Sequence, residues 1–136
     1  MRSVYFSLLA VALFGACSAA ELRQTAPAPV EIEFAVPRDH GPQVVHVVTR
    51  DIPAGGEIPW HTHPGVEIGY VESGEVEFLS DRQPARRLAP GQTFLAERGV
   101  VHGGRNSGSG PARIVITYVV DRDAPLRTPA DPPQPQ

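Results

Sequence analysis

Residues 55–74 read GGEIPWHTHPGVEIGYVESG, and this stretch decides how the whole chain is interpreted. His61 and His63 are two residues apart, so in a β-strand both imidazoles point to the same face of a sheet. Glu67 is an even number of residues from both histidines, so in an unbroken strand it would face the same side of the sheet. Pro64-Gly65 bends the chain between them, and this spacing alone therefore does not fix the direction of Glu67. The stretch predicts two imidazoles close together, with a carboxylate as a candidate third group.

A second stretch, residues 91–106, reads GQTFLAERGVVHGGRN and supplies a third histidine, His102, at the start of a strand-like segment. Three imidazoles and one carboxylate that converge inside a barrel would form a mixed nitrogen and oxygen site suited to Mn, Fe, Co, Ni, Cu or Zn. Such a site could keep two coordination positions open. A His-x-His pair alone is weak evidence for a metal, and the surrounding glycines strengthen the interpretation.

The glycines and the candidate ligands together resemble the two sequence motifs of the cupin family. The positions that match the first motif are Gly55, His61, His63, Glu67 and Gly74. The positions that match the second motif are Gly91, Gly99, His102 and Asn106. Glu97 departs from the pattern, since the family usually has a proline there, and this puts the turn geometry in question. The resemblance extends from about Val44 to Val120.

This resemblance implies a small cupin that binds one divalent metal ion through His61, His63, Glu67 and His102, with Mn, Fe, Ni, Cu or Zn as the candidate ions. It favours a metalloenzyme of the dioxygenase, isomerase, lyase or decarboxylase type that acts on a small organic molecule. The alternative is a non-catalytic module that binds a small molecule through the metal, because one barrel hosts many functions. Catalytic residues stay unassigned, and small cupins are commonly homodimers.

Apolar β-branched runs separated by turn signals predict an all-β fold. The clearest predicted strands are Glu31 to Val36, Val44 to Arg50, Val66 to Ser73, Glu75 to Ser80, Thr93 to Ala96 and Arg113 to Val120. The turns between them are rich in the 13 glycines and 15 prolines of the chain. Many short strands favour a single small β-barrel or jelly roll, which limits exposed sheet edges.

The ends of the chain differ from its middle. Residues 1–20 combine Arg2, an apolar run and small residues, which predicts a secretory signal peptide. Residues 21–30 are expected to be a linker, residues 31–121 the barrel domain, and residues 122–136 an extended Pro-rich tail. Cys17 leaves two alternatives open, simple cleavage of the signal or acylation of a lipoprotein. We therefore expect a periplasmic or secreted protein, either free or anchored by a lipid, without a membrane span.

Charge excludes one class of partner. The chain has 12 basic and 15 acidic side chains, and all the basic ones are arginine, so there is no positive surplus to bind a phosphate backbone. The expected partner is a small molecule, and no nucleic acid.

Three polar residues near the motifs have weaker claims to function. Arg105 could pair with a substrate carboxylate or be a solvated loop arginine, and Glu97 could be a general base or a solvated carboxylate. His46 has no motif partner and is expected to be structural.

Overall fold

The structure, a computed structural model, describes residues 41–134, and the regular secondary structure within this range is entirely β-strand. The strands are β1 (Gln43–Ile52), β2 (Glu57–Thr62), β3 (Gly65–Ser73), β4 (Val76–Ser80), β5 (Arg86–Leu88), β6 (Thr93–Ala96), β7 (His102–Asn106), β8 (Ala112–Asp121) and β9 (Thr128–Pro129). The all-β jelly roll that was predicted from the sequence is confirmed.

The strands form two antiparallel sheets. One sheet has the order β1-β8-β3-β6, and the other has the order β5-β4-β7-β2-β9. β8 pairs with β1 on one side and β3 on the other, and alternate residues of β8 are buried, as expected of a strand whose one face covers the core. β2 and β3 follow each other in sequence but belong to opposite sheets. The short connection between them therefore lies between the two sheets, close to the core.

The apolar core lies between the sheets. Val71, Val76, Leu88 and Ile114 are among its most buried side chains. The rings of Phe78 in β4 and Phe94 in β6 stack with centroids 4.7 Å apart, and so they link one sheet to the other. Such a contact adds to the free energy gained by burying the two rings.

Five predicted strands correspond to β1, β3, β4, β6 and β8. The remaining predicted strand, Glu31 to Val36, lies outside the described residues, as do the predicted signal peptide, the linker and Cys17. β2 and β7 were not among the clearest predictions, because Pro59 interrupts β2 and two of the five residues of β7 are glycine. Tertiary pairing overrides these weak local preferences.

The C-terminal segment, residues 122–134, contributes more than an extended tail. Its short strand β9 pairs with β2, with His61 opposite Pro129 and Thr62 opposite Thr128. Leu126 packs against the core. The segment therefore lies directly beside the strand that carries the first histidine. Across residues 41–134, we find no helix of the length and apolarity needed to cross a membrane.

Close packing at Gly69 in β3 generates a test of the fold. A Cβ at this position would overlap the Phe94 ring, which is held by its stack on Phe78. We expect Gly69→Ala to lower the free energy of unfolding by about 1–3 kcal/mol, as overpacked cores do. The measurement is urea unfolding.

Gly110→Ala is the matched control, because an added Cβ there has no heavy atom within 4 Å. It should change the free energy of unfolding by no more than about 0.5 kcal/mol, apart from the small gain that a Gly→Ala change can bring through the unfolded chain. Equal stability of the two variants would contradict the close packing of β3 on β6.

Candidate metal centre

The structure brings together the four residues that were predicted as metal ligands. His61 lies in β2 and faces His102, the first residue of β7, across the sheet. Glu67 comes from β3 in the opposite sheet, and His63 lies between β2 and β3. Each residue is at most 4% exposed. Four polar side chains thus meet in the apolar interior, where unpartnered polar groups are costly.

The distances define a tight cluster. Glu67 Oε2 lies 2.8 Å from His63 Nε2, 2.8 Å from His102 Nε2 and 3.9 Å from His61 Nε2. The Nε2 atoms of His61 and His63 are 3.0 Å apart. One donor atom from each of the four side chains falls within 4.8 Å of all the others. This arrangement could hold one metal ion in contact with all four.

Backbone carbonyls orient the three imidazoles. His61 Nδ1 donates to Pro59 O at 2.7 Å, and His102 Nδ1 donates to Val100 O at 2.9 Å. His63 Nδ1 donates to the carbonyl of Leu126 in the C-terminal segment. A neutral imidazole has one N–H and one lone pair, so these bonds leave the lone pair on each Nε2. The three lone pairs face a carboxylate and one another, and a bound cation would relieve their repulsion.

The protonation states favour a cation as well. Burial lowers the pKa of His61 to about 4, against the raising effect of its hydrogen bond to Pro59. Burial would by itself raise the pKa of Glu67, but its close contacts with His102 and His63 outweigh this effect and lower the pKa to about 2. At neutral pH His61 is therefore neutral and Glu67 ionised, as metal ligands must be.

A cavity of about 60 Å³ adjoins the cluster. Its lining residues outside the cluster are Arg50, Ile58, Ile116, Tyr118, Leu126 and Arg127. Burial, followed by the charge of Glu67, raises the pKa of Tyr118 to about 12, so its phenol keeps its proton. The cavity can therefore hold a small ligand against a hydroxyl donor, apolar walls and two cations.

The other polar residues considered from the sequence lie elsewhere. The Arg105 guanidinium is paired with Glu77, with Nε at 2.5 Å from Oε2. Glu97 is exposed and borders a separate cavity with Arg82 and Arg86. His46 is exposed on β1 and outside the cluster. Arg105 is thus an ion-paired residue of β7 and not a solvated loop arginine, whereas the exposure of Glu97 is that of a solvated carboxylate.

The turn at Glu97 forms without the usual proline. Val100 N donates to Glu97 O at 3.1 Å, Gly99 has a φ of +72°, and Gly99 N donates to His63 O at 3.1 Å. This turn places Val100 O beneath His102. Hydrogen bonds and one left-handed glycine thus replace the conformational restriction that a proline would supply.

Sequence reasoning missed Arg50, Leu126 and Arg127. Leu126 carried a usable signal, because it is the one large apolar residue in the otherwise polar and Pro-rich segment 122–136. A lone large apolar residue in such a tail indicates a point of docking on the core. The sequence holds no comparable signal for the two arginines.

Comparisons with known proteins agree with this geometry. Over 54 residues the chain is 43% identical to dimethylsulfoniopropionate lyase DddQ of Ruegeria pomeroyi, which covers 40% of this chain and 27% of the relative. The crystal structure of that lyase superposes with a TM-score of 0.55 at 31% identity, over 60% of this chain and 41% of the other. Germin-like protein 1-1 of Oryza sativa subsp. japonica is 36% identical over 79 residues, 54% of this chain and 37% of the relative.

A structure of oxalate oxidase in complex with the substrate analogue glycolate superposes with a TM-score of 0.52 at 30% identity, over 54% of this chain and 41% of that chain. The matched regions thus span between about a quarter and two-fifths of the length of these proteins. The Cupin domain family model matches residues 48–118, just over half of the 136 residues and all four clustered side chains. The chain therefore belongs to the cupin family.

Proposed function

We propose that this protein is a metal-dependent enzyme that holds one divalent transition metal ion and acts on a small organic molecule in the adjoining cavity. The observation that carries the proposal is the convergence of four buried donor atoms within 4.8 Å, with each imidazole oriented by a backbone carbonyl. A site whose ligands are fixed before binding loses little entropy when the metal enters. Three nitrogens and one oxygen suit Mn, Fe, Ni, Cu or Zn.

A bound ion would supply Lewis-acid polarisation of a ligand oxygen. The chain's own residues have separate parts. Glu67 contributes the one negative charge of the cluster. Ile58 and Ile116 form apolar walls that limit access of water. Together these groups can bind a small ligand, orient it and hold its polar atoms.

The names of the relatives favour catalysis over simple binding. One relative is a lyase and another is an oxidase. The lyase type is among the reaction types that the resemblance implied. An oxidase, like the implied dioxygenase type, carries out oxygen-dependent chemistry. Since the chain matches only part of either protein, their reactions come to this protein as hypotheses. The non-catalytic binding module is the competing hypothesis.

We also propose that the protein is exported and forms a homodimer. Export rests on the signal-like layout of residues 1–20. The dimer is supported by the exposed apolar side chains of Val45 and Val47, 59% and 66% exposed, on β1. Within residues 41–134, β1 is the edge strand of its sheet, and edges with apolar side chains favour association.

Metal content tests the cluster. We expect His63→Ala and Glu67→Ala each to lower the bound metal by at least about tenfold, because each removes a direct ligand. The measurement is elemental analysis of protein purified after native export. His46→Ala is the matched control, since His46 is exposed and outside the cluster, and it should keep the wild-type content. Equal metal in all four proteins would contradict the site.

The stability of the metal-free protein should fall as the pH drops from 6.5 towards 4. The pKa of His61 is about 4 in the fold and 6.5 ordinarily, so in this interval the unfolded chain binds a proton that the folded protein does not. Glu67, with a pKa of about 2 against 4.5, extends the loss to lower pH. The measurement is the urea midpoint of metal-free protein at each pH.

His61→Gln should flatten the upper part of this pH dependence, and His46→Gln should leave it as in the wild type. An unchanged slope in His61→Gln would show that His61 is not held neutral by the fold.

Turnover tests the enzyme hypothesis. Protein loaded with Mn, Fe, Ni or Zn is incubated with dimethylsulfoniopropionate, oxalate and other short organic acids, with and without oxygen. We expect several product molecules per protein from the wild type, and none from His63→Ala. Turnover without oxygen would indicate a lyase, and turnover that requires oxygen would indicate an oxidase or dioxygenase. Stoichiometric capture without product would instead support the binding module.

A further inference from the structure

Two arginines border the cavity beside the four-residue cluster. Arg50 comes from β1, and Arg127 comes from the C-terminal segment just before β9. Ile58 and Ile116 line the same cavity and form its apolar part. The cavity therefore has an apolar wall and two permanently charged groups.

Arg50 is an exposed residue of the edge strand β1, and it borders the cavity. It pairs with Ile114 in β8, which is fully buried, and cross-strand partners lie on the same face of a sheet. The other positions of β1 on this face are Val44, His46, Val48 and Ile52, of which Ile52 is buried and His46 and Val48 are exposed. Arg50 thus brings a positive charge from the exposed edge strand to the wall of the cavity beside the cluster.

Arg127 is fixed beside the cluster by the backbone. Its Nη2 donates to Pro59 O at 2.6 Å, the same carbonyl that accepts from His61 Nδ1. A guanidinium has five N–H donors, so this bond leaves others to face the cavity. Burial and the charge of Arg50 lower the pKa of Arg127, whereas Tyr118 and Glu67 act in the opposite direction.

Within residues 41–134, the structure shows no carboxylate paired with either arginine, Arg50 or Arg127. Glu67 acts on Arg127 only at longer range. With a divalent ion bound, the charge of Glu67 is more than offset, and the cavity becomes strongly positive.

We propose that Arg50 and Arg127 form an anion subsite that holds the carboxylate of a small organic acid beside the metal. The inference rests on the proposed function and deepens it by naming the class of ligand. A guanidinium fork matches the two oxygens of a carboxylate. The cavity of about 60 Å³ has room for a group of a few non-hydrogen atoms, and its apolar walls suit a short hydrocarbon body.

The test compares ligand binding by calorimetry in wild type, Arg50→Gln and Arg127→Gln, each with its metal content measured first. The probes are acetate and malonate, with acetamide as the neutral counterpart of acetate and inorganic phosphate as a different oxyanion. We expect both carboxylates to bind the metal-loaded wild type, and each substitution to weaken binding by about tenfold or more. Arg87→Gln, on β5 and outside the cavity lining, is the matched control and should bind as the wild type does.

A purely structural role for Arg127 would give a different pattern. If Arg127 only anchors the C-terminal segment through Pro59 O, Arg127→Gln would change the melting temperature or the metal content. The affinity of the metal-loaded protein for carboxylates would then be unchanged. That result, or equal binding of acetamide and acetate, would overturn the subsite. Binding of phosphate in preference to both carboxylates would overturn the ligand class.

The metal and the subsite can fail separately. If the wild type takes up no metal but still binds malonate in a way that needs both arginines, the metal proposal fails and the subsite stands. If the loaded protein binds carboxylates equally in all variants, the subsite fails and the metal proposal stands. Absence of both metal and carboxylate binding would overturn both.

Discussion

The burial of an ionised carboxylate among three imidazoles is the constraint on which the rest of the structure depends. Glu67 is 4% exposed, and a buried charge without partners costs several kcal/mol. The Nε2 atoms of His63 and His102 each lie 2.8 Å from the same oxygen of Glu67, and these contacts lower the pKa of the carboxyl to about 2. Their other nitrogens are in turn committed to backbone carbonyls. The site thus has a definite orientation before any ligand enters, at the expense of placing like lone pairs close together.

The backbone of β3 accommodates this cluster through glycines two residues before and after Glu67. A Cβ at Gly65 would overlap the carbonyl of Val119 in β8, and a Cβ at Gly69 would overlap the Phe94 ring. Both strands that flank β3 therefore approach it more closely than larger residues would allow. This close packing sets the register of Glu67 against Tyr118 and Ala96, and so fixes the carboxylate beneath the histidines of the opposite sheet.

Much of the cluster could be predicted from the sequence, because its ligands occur at fixed spacings within two short stretches. β1, β3, β4, β6 and β8 were also predictable, since their runs of Val, Ile and Phe give a local preference for strands. β7 was less clear, because Gly103 and Gly104 have no such preference and their strand conformation depends on pairing with β4. The positions of the Leu126 carbonyl and the Arg127 guanidinium depend on the pairing of β9 with β2, which involves only two residue pairs. So short a strand in a segment rich in proline cannot be recognised from the sequence.

The C-terminal segment links metal binding to ligand choice. Leu126 O orients His63, while the next residue, Arg127, borders the cavity and shares Pro59 O with His61. A single strand pairing therefore positions one group that serves the ion and one that serves the ligand. Residue 127 lies outside the matched cupin domain, residues 48–118, whereas all four clustered side chains lie within it. Changes in this segment can alter the charge of the cavity without touching the donor set, so one metal centre can be adapted to different ligands by the chain that follows the barrel.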